Sequence, residues 1–191
     1  MIPLIAYTPR LTLIAASRAL LTAELTKPQY FPMLLGATLP QHWPPGHHTE
    51  EAMRYFLEQL TAGGRTAAGW YSWYAILRAE NEGVRNTLIG VGGFHGPPQN
   101  GTVALSFSVA DDWRGRGLGS ELVAGLVRHV ADTGLVRQLT ARTAPANTAS
   151  QRILERNRFE PTAPAPDAEG LLRFQRAIVA ADKTPPSAPT S

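Results

Sequence analysis

A glycine-rich turn between a strand-like segment and an amphipathic helix constrains this chain more than any other feature. The turn runs from Asp111 to Ser120 and contains Gly115, Gly117 and Gly119. Glycine lets the backbone approach a ligand closely, successive N–H groups can form an anion-binding concavity, and the helix N-terminus adds partial positive charge. We therefore predict a phosphate-binding loop, with a strand ending before it and a helix beginning after it.

Three strands are predicted ahead of this turn, and the short loops between them favour an antiparallel meander. They are Trp70 to Leu77, Thr87 to Phe94 and Thr102 to Val109. After the turn, apolar residues at helical spacing predict a helix from Leu118 to about Thr133, followed by a strand from Leu139 to Thr143. A strand, helix, strand order implies that the two flanking strands pair in parallel.

The remaining elements follow from capping residues and apolar periodicity. They are a strand at Leu11 to Ala15, a helix from Arg18 to Leu25 capped by Ser17, a helix capped by Thr49 and ended at Gly63-Gly64, a helix from Asn147 to about Arg156, and short strands near Phe159 and at Leu171 to Ile178. Trp43-Pro44-Pro45-Gly46 predicts an irregular loop between Pro40 and His48. The fold class expected is α/β (α+β), a mixed, mostly antiparallel twisted sheet with helices on both faces.

The composition limits which cellular compartment and which partners are expected. The chain has 191 residues, no cysteine and a net charge of +3, with only 17% charged residues. Disulfides and cysteine nucleophiles are thereby excluded, and the scattered charge is not that of a nucleic-acid-binding protein. No apolar run approaches the ~20 residues of a membrane span. We expect one domain over residues 1–180, a disordered Pro/Ser/Thr-rich tail over residues 181–191, and a cytoplasmic protein; a homodimer is left open.

Two other kinds of protein also carry glycine-rich turns. A dinucleotide-binding fold needs G-x-G-x-x-G near the start of alternating strands and helices, but Ser120 occupies the place of the third glycine and the preceding strands form a meander. An arginine-glycine RNA-binding segment would be a low-complexity repeat, whereas this motif occurs once beside an amphipathic helix. Both fit the residues less well than a loop for another phosphate-bearing ligand.

Two motifs resemble those of the GNAT superfamily of acetyl-CoA-dependent N-acyltransferases. Arg114-Gly115-Arg116-Gly117-Leu118-Gly119 matches its R/Q-x-x-G-x-G/A signature, and the segment from Asn147 to Phe159 resembles its N-x-x-S/A...L/Y-E-(x)3-F helix. The resemblance covers about residues 10 to 178, and it is most specific over residues 102 to 160. Within the family the chain most resembles the branch that includes the ribosomal-protein N-acetyltransferases.

The resemblance implies acetyl-CoA as co-substrate and names the residues that would bind it. Main-chain groups of one strand would pair with the pantetheine arm, and the loop amides would hold the pyrophosphate. The residues implied are Phe107, Ser108, Val109, Arg114, Gly115, Arg116, Gly117, Leu118, Gly119, Ser120 and Asn147. Asn147 is also expected to cap its helix, with any coenzyme contact added to that role.

The catalytic groups are less fully inherited than the coenzyme loop. Where some relatives have a glutamate base and a tyrosine acid, this chain has Arg142 and Leu154, which can do neither. Ser150 is the candidate general acid, with a helix-surface serine as its alternative role. His95 is a candidate base, with a solvated turn residue as its alternative, and water assisted by Asp111, Asp112, Glu50 or Glu51 is the other route for the proton.

The acceptor is expected to be a primary amine on a small molecule or a protein. The residues do not distinguish among these acceptors. Adjacent His47 and His48 lack a third ligand at regular spacing, so no metal is expected. We expect neither a nucleic-acid partner nor a membrane partner. Because the familiar acid and base are missing, a catalytically weak module that binds coenzyme A remains the alternative function.

Overall fold

Eight strands form a mixed sheet in the computed structural model, which describes residues 4–46, 48–80 and 84–184. In chain order they are β1 Ile5–Tyr7, β2 Leu11–Ala15, β3 Ser72–Leu77, β4 Thr87–Phe94, β5 Thr102–Val109, β6 Gln138–Thr143, β7 Glu160–Pro161 and β8 Leu172–Ala177. Across the sheet the order is β1-β2-β3-β4-β5-β6-β8-β7. Only β5 and β6 pair in parallel among these described strands. The predicted mostly antiparallel sheet and its parallel crossover are confirmed.

Five α-helices cover the two faces of the described sheet. They are α1 Arg18–Thr26, α2 Phe31–Leu35, α3 Glu50–Gly63, α4 Leu118–Thr133 and α5 Thr148–Arg156. Adjacent residues of β3 show the two layers, since side chains alternate between the faces of a strand. Tyr74 contacts Glu24 of α1, whereas Trp73 packs on His129 of α4 with ring centroids 4.4 Å apart. Helices on both faces, as predicted, are therefore confirmed.

Helix α4 fixes the glycine-rich turn because it packs deeply against the sheet. Leu122, Leu126 and Val130 have no exposed surface, and burying each such side chain stabilises the fold by about 1.5–3 kcal/mol. Gly92 of β4 permits the close approach, since a Cβ there would lie 2.8 Å from Leu126 Cδ1. The apolar spacing seen in the sequence is the buried face of this helix.

The three predicted helix caps are confirmed, whereas one strand start moves by two residues and two elements were not predicted. Ser17, Thr49 and Asn147 each accept a hydrogen bond from a backbone N–H in the first turn of α1, α3 and α5. Strand β3 begins at Ser72 rather than Trp70. Strand β1 and helix α2 were not predicted, although α2 carries the usual signals of proline in its first turn and left-handed Gly36 at its end.

The C-terminal segment remains packed on the domain beyond the predicted boundary at residue 180. Asp182 pairs with Arg176, and Thr184 donates two hydrogen bonds to Asp132, from its backbone N at 2.8 Å and its Oγ1 at 2.6 Å. The rest of the predicted tail, residues 185–191, lies outside the described residues. Within the described ranges, none of the helices has both the length and the apolar character needed to cross a bilayer.

Candidate active site

Strand β5 leaves one of its edges unpaired over its second half. On one side it pairs with β4 from Leu105 to Val109. On the other side it pairs with β6 only from Thr102 to Ala104. Phe107, Ser108 and Val109 therefore lie on a stretch where β5 and β6 have separated. A ligand with amide groups could add to this edge as an extra strand, using the main chain and making little demand on side-chain type.

The separation does not depend on a bulge in β5. The register between β4 and β5 is continuous, and the one shift among the described strand pairs lies between β3 and β4, where Ile89 is the extra residue. Here β5 simply pairs with β6 over three residues and then diverges from it.

The three glycines of the loop serve two different purposes. Gly115 and Gly117 have φ of 75° and 77°, in the left-handed region that other residues adopt at a cost of about 1 kcal/mol. Gly119 has no such φ, but a Cβ there would lie 2.8 Å from Ile153 Cδ1 of α5. The first two glycines turn the chain into α4, and the third lets α5 pack against its first turn.

Six consecutive N–H groups at this turn have no acceptor within the described part of the chain. They belong to Gly115 through Ser120, and the first helical hydrogen bond is donated by Glu121 to Gly117 O. Unpaired amides at a helix N-terminus, reinforced by the helix dipole, form a ready anion site. The loop joins the unpaired edge of β5, so both parts could bind one ligand.

The two loop arginines are held by the protein itself. Arg114 Nε donates to Val109 O at 3.1 Å, and its guanidinium pairs with Asp111 at 2.9 Å. Arg116 donates to Asp112 O and lies 4.7 Å from the centre of the Trp113 ring. These side chains shape the turn, so a role in coenzyme binding for them stays a prediction.

An ion pair missed at the sequence level braces the same loop. Arg10 pairs with Glu121 at 2.7 Å and donates to Arg116 O at 3.1 Å, and Thr8 Oγ1 donates to Glu121 at 2.6 Å. Burial raises the pKa of Glu121, but the hydrogen bonds from Thr8 and Arg10 and the Arg10 charge lower it overall. The sequence signal was only an acidic residue in the first turn of α4.

The loop of residues 43–46 lies against the other face of β5. Ser108 and Ser106 lie on the face of β5 away from α4. Gly46 approaches this face so closely that a Cβ there would lie 2.8 Å from Ser108 Oγ. The loop therefore restricts access to this face of β5 near Ser108. His47 lies outside the described residues.

A buried carboxylate anchors this loop. Glu24 of α1 accepts hydrogen bonds from Trp43 Nε1 at 2.7 Å and Tyr74 Oη at 2.6 Å, and His48 Nε2 lies 3.1 Å from both of its oxygens. Burial raises the pKa of Glu24, but these partners lower it overall, whereas burial beside Glu24 raises the pKa of Tyr74. Trp43, Tyr74 and His48 therefore meet around one buried polar centre.

The two catalytic candidates lie at opposite ends of the unpaired edge. Ser150 is half-buried in the first turn of α5, one turn before the Ile153 that contacts Gly119. His95 is exposed just after β4 and donates its backbone N–H to Ala104 O. Ser108 follows Ala104 by four positions along the strand, about 13 Å. The structure thus places Ser150 on the helix that packs against the glycine-rich turn and His95 at the far end of the edge.

Arg142 and Leu154, which stand where some relatives have a base and an acid, have structural roles. Arg142 on β6 forms ion pairs with Asp167 and Glu169, and these acidic partners raise its pKa. Leu154 is buried in the core. Of the other acids considered, Asp111 pairs with Arg114, and Glu50 pairs with Arg54 at 2.6 Å. Among the described residues no cluster of three or more potential metal ligands is found.

Comparison with known proteins places this architecture in a family. Residues 21–160 match the family described as Acetyltransferase (GNAT) domain. The chain belongs to the GNAT acetyltransferase family. This GNAT chain is 29% identical over 126 residues to YjdG, an uncharacterized N-acetyltransferase of Bacillus subtilis (strain 168), a match that covers 65% of the chain and 71% of the relative.

Solved structures share the fold of this GNAT protein at low sequence identity. The acetyltransferase from Salmonella typhimurium that modifies the N-terminal serine of ribosomal protein L7/L12 superposes with a TM-score of 0.60 at 18% identity, covering 93% of this chain and 99% of that one. RimL, a ribosomal L7/L12 alpha-N-protein acetyltransferase solved with coenzyme A, gives 0.59 at 19% identity, covering 93% and 97%. At these identities the likeness establishes the GNAT fold alone.

Proposed function

We propose that the protein is an acetyl-CoA-dependent N-acetyltransferase that acts on a primary amine by direct attack in a ternary complex. The strongest support is that the unpaired edge of β5 leads directly into the glycine-rich turn. There, six N–H groups from Gly115 to Ser120 have no acceptor among the described residues. An acyl-coenzyme carries an amide-containing arm suited to a strand edge and a pyrophosphate suited to a helix N-terminus.

In the proposed reaction the neutral amine attacks the thioester carbonyl. A C–N bond forms while the carbonyl oxygen takes up negative charge, which an N–H on the β5 edge would stabilise. Collapse of this intermediate breaks the C–S bond and releases the coenzyme thiolate. Ser150 would donate its proton to the thiolate and regain one from solvent, and water, with or without His95, would take the proton from the amine.

No covalent acyl-enzyme through cysteine is available, because the chain has no cysteine. Holding both substrates in one complex then supplies much of the rate enhancement through proximity. Initial rates measured against both substrates should give intersecting lines in double-reciprocal plots. Parallel lines would indicate a covalent intermediate and contradict direct attack.

The proposal is tested by two glycine substitutions at opposite ends of α4. Gly117 and Gly134 have φ of 77° and 69° and cap the start and the end of that helix. Alanine at either position should lower the free energy of unfolding by about 1 kcal/mol through backbone strain. Only Gly117→Ala should weaken acetyl-CoA binding, by about tenfold or more, in calorimetric titrations.

Gly134→Ala is the matched control, since a Cβ there meets no atom within 4 Å. Undetectable acetyl-CoA binding by the wild type would refute the assignment, as would equal loss of affinity in both variants. NADH binding that depends on Gly117 would instead support the dinucleotide interpretation, and RNA binding with a steep salt dependence would support the nucleic-acid one.

A second candidate function is a module that binds coenzyme A with little turnover. It is favoured by Arg142, which is held in ion pairs, and Leu154, which is buried, at the positions where relatives have a base and an acid. Thiol release measured over a panel of small amines, polyamines and peptide N-termini separates the two functions. Ser150→Ala should lower kcat at saturating substrates, and an unchanged kcat would exclude Ser150 as general acid.

The acceptor class is proposed only as a primary amine. Two structural relatives are described as acting on ribosomal protein L7/L12, and that description belongs to those proteins. The loop of residues 43–46 is expected to set acceptor choice here, because Gly46 lies against Ser108 on the face of β5 away from α4. A cytoplasmic location, compatible with the absence of cysteine, is part of the proposal.

A further inference from the structure

A pocket of about 360 Å³ lies one helical turn beyond the glycine-rich turn. It is formed by the middle of α4, the end of α5 and the C-terminal segment. Five cationic side chains and one carboxylate line it: Arg128, Arg156, Arg158, Arg176, Lys183 and Asp182. Five positive charges against one negative give a formal charge of +4, more than the +3 of the whole chain.

Four of these cations have no side-chain partner among the residues that the structure describes. Asp182 is already paired with Arg176. Within the described ranges, no ion pair or side-chain hydrogen bond involves Arg128, Arg156, Arg158 or Lys183. Like charges brought together without counter-charges repel one another, so such a cluster favours an anionic ligand.

Arg158 is held in this cluster at the expense of backbone strain. Its φ is 62°, in the left-handed region. Helix α5 ends in a Schellman motif, in which Phe159 N donates to Leu154 O and Arg158 N donates to Glu155 O. The left-handed position of that motif is usually glycine. A strained residue that places its side chain in a pocket is the kind of feature found at binding sites.

Arg176 forms a fixed wall of the pocket. It is 8% exposed, and its Nη1 donates to Asn157 O at 2.6 Å. Burial lowers the pKa of Arg176, Asp182 opposes this, and the Arg158 charge lowers it further. A bound anion would relieve that repulsion. The guanidinium is oriented before any ligand arrives.

The pocket adjoins the proposed pyrophosphate loop. Asn157, which lines it, donates to Ser120 O and Oγ at 3.1 Å. Ala124, also in its lining, follows Ser120 by four residues, about 6 Å along the helix. A ligand bound at the loop could therefore extend a second phosphate toward the arginines.

We propose that this pocket binds the phosphate group of a phosphate monoester. A monoester carries a charge of about −1.5 to −2 at pH 7 and offers three acceptor oxygens, which match the donor forks of arginine. Two sources share this chemistry: the 3′-phosphate of coenzyme A and a separate phosphorylated small molecule. The first source depends on the proposed function, and the second does not.

Calorimetric titration with coenzyme A and with 3′-dephospho-coenzyme A tests the first source. Wild type should bind coenzyme A about tenfold tighter than the dephosphorylated form. Arg158→Gly and Lys183→Gln should reduce this preference to near unity. Arg65→Gln removes an exposed arginine on the 3₁₀ turn Gly64–Thr66 and should leave the preference unchanged.

Arg158→Gly also has a signature that separates binding from folding. Removing the strained φ should raise Tm by about 2–4 °C while the preference for the 3′-phosphate falls. A variant that is more stable yet binds less tightly cannot be explained by partial unfolding. A lower Tm would contradict the strain on which the proposal rests.

Inorganic phosphate and 3′-AMP, titrated by ³¹P NMR, test the second source without any acyl-coenzyme. Binding that is lost in both variants, with equal affinities for the two coenzyme forms, would support a separate phosphate monoester. The proposal fails if neither probe binds and the two coenzyme forms bind equally, or if a phosphate preference persists unchanged in both variants. These phosphate titrations are independent of acetyl transfer, so failure of one proposal is distinguishable from failure of the other.

Discussion

At the scale of single residues, His129 makes stability depend on pH. It is 4% exposed, and its Nε2 has no hydrogen-bond partner among the described residues. Burial lowers its pKa to about 4, with Asp132 opposing the shift. The unfolded chain protonates near pH 6.5, whereas the folded protein keeps the ring neutral, so this contribution to stability is complete above pH 6.5.

Stability should therefore fall by about 3 kcal/mol through His129 as the pH drops from 6.5 to 4. His129→Leu should remove this part of the pH dependence, as measured by urea unfolding at pH 7.5 and pH 4.5. His42→Gln, which changes an exposed histidine, is the control and should leave the dependence as in wild type. Identical pH dependence in wild type and His129→Leu would contradict the assignment.

Glu24 and Glu50 provide a matched pair for a buried and an exposed carboxylate. Glu24→Gln should lower the free energy of unfolding by about 2–4 kcal/mol, because the buried donors of Trp43, Tyr74 and His48 lose their charged acceptor. Glu50→Gln should cost less than about 0.5 kcal/mol, since its ion pair with Arg54 is about two-thirds exposed. Chemical denaturation measures both, and equal losses would show that the buried cluster contributes little.

Roles that depend only on residues nearby in sequence could be predicted from residue type. The caps Ser17 and Asn147 and the turn-forming Gly117 are of this kind. The ion pair of Arg10 with Glu121 joins residues 111 positions apart, and no local pattern indicates it. The left-handed conformation of Arg158 was missed for a different reason. Such a position at a helix end is usually glycine, so an arginine there gives no signal of it.

At the scale of elements, Asn147 has one observed role, as the cap of helix α5, and one proposed role, in coenzyme binding. Its side chain accepts the Ser150 N–H at 3.1 Å, and replacing it with alanine should cost about 1 kcal/mol of stability. Serine at this position should restore most of the cap. If Asn147 also contacts the coenzyme, acetyl-CoA affinity should fall in both variants while stability falls only with alanine. Unchanged affinity in both would limit Asn147 to capping.

The elements that sequence predicted well are those with a long, regular apolar face. Helix α4 shows this spacing over sixteen residues, and β3, β4 and β5 are bounded by clear turn residues. Helix α2 has only five residues, with Pro32 inside it and Pro28 just before it, so it is too short for a helical periodicity to be detected. Strand β1 has three partly or fully exposed residues and depends on β2 for its existence.

At the scale of the whole molecule, the order of elements was enough to predict the sheet. Short loops require antiparallel neighbours, and a crossover helix requires a parallel pair. The separation of β5 from β6 was not predictable in the same way. It depends on where pairing stops, at Ala104 and Thr140, and no residue type at those positions requires a stop.

The unpaired stretch of β5 also has a consequence for how the protein behaves at high concentration. Strand edges with free amide and carbonyl groups can template pairing with another chain and so promote aggregation. Without a ligand along Phe107–Val109, the protein should become turbid earlier on heating than it does with saturating acetyl-CoA, as followed by light scattering. The unpaired stretch of β5 that would receive the donor substrate is thus also a place where the protein without ligand could pair with a second copy.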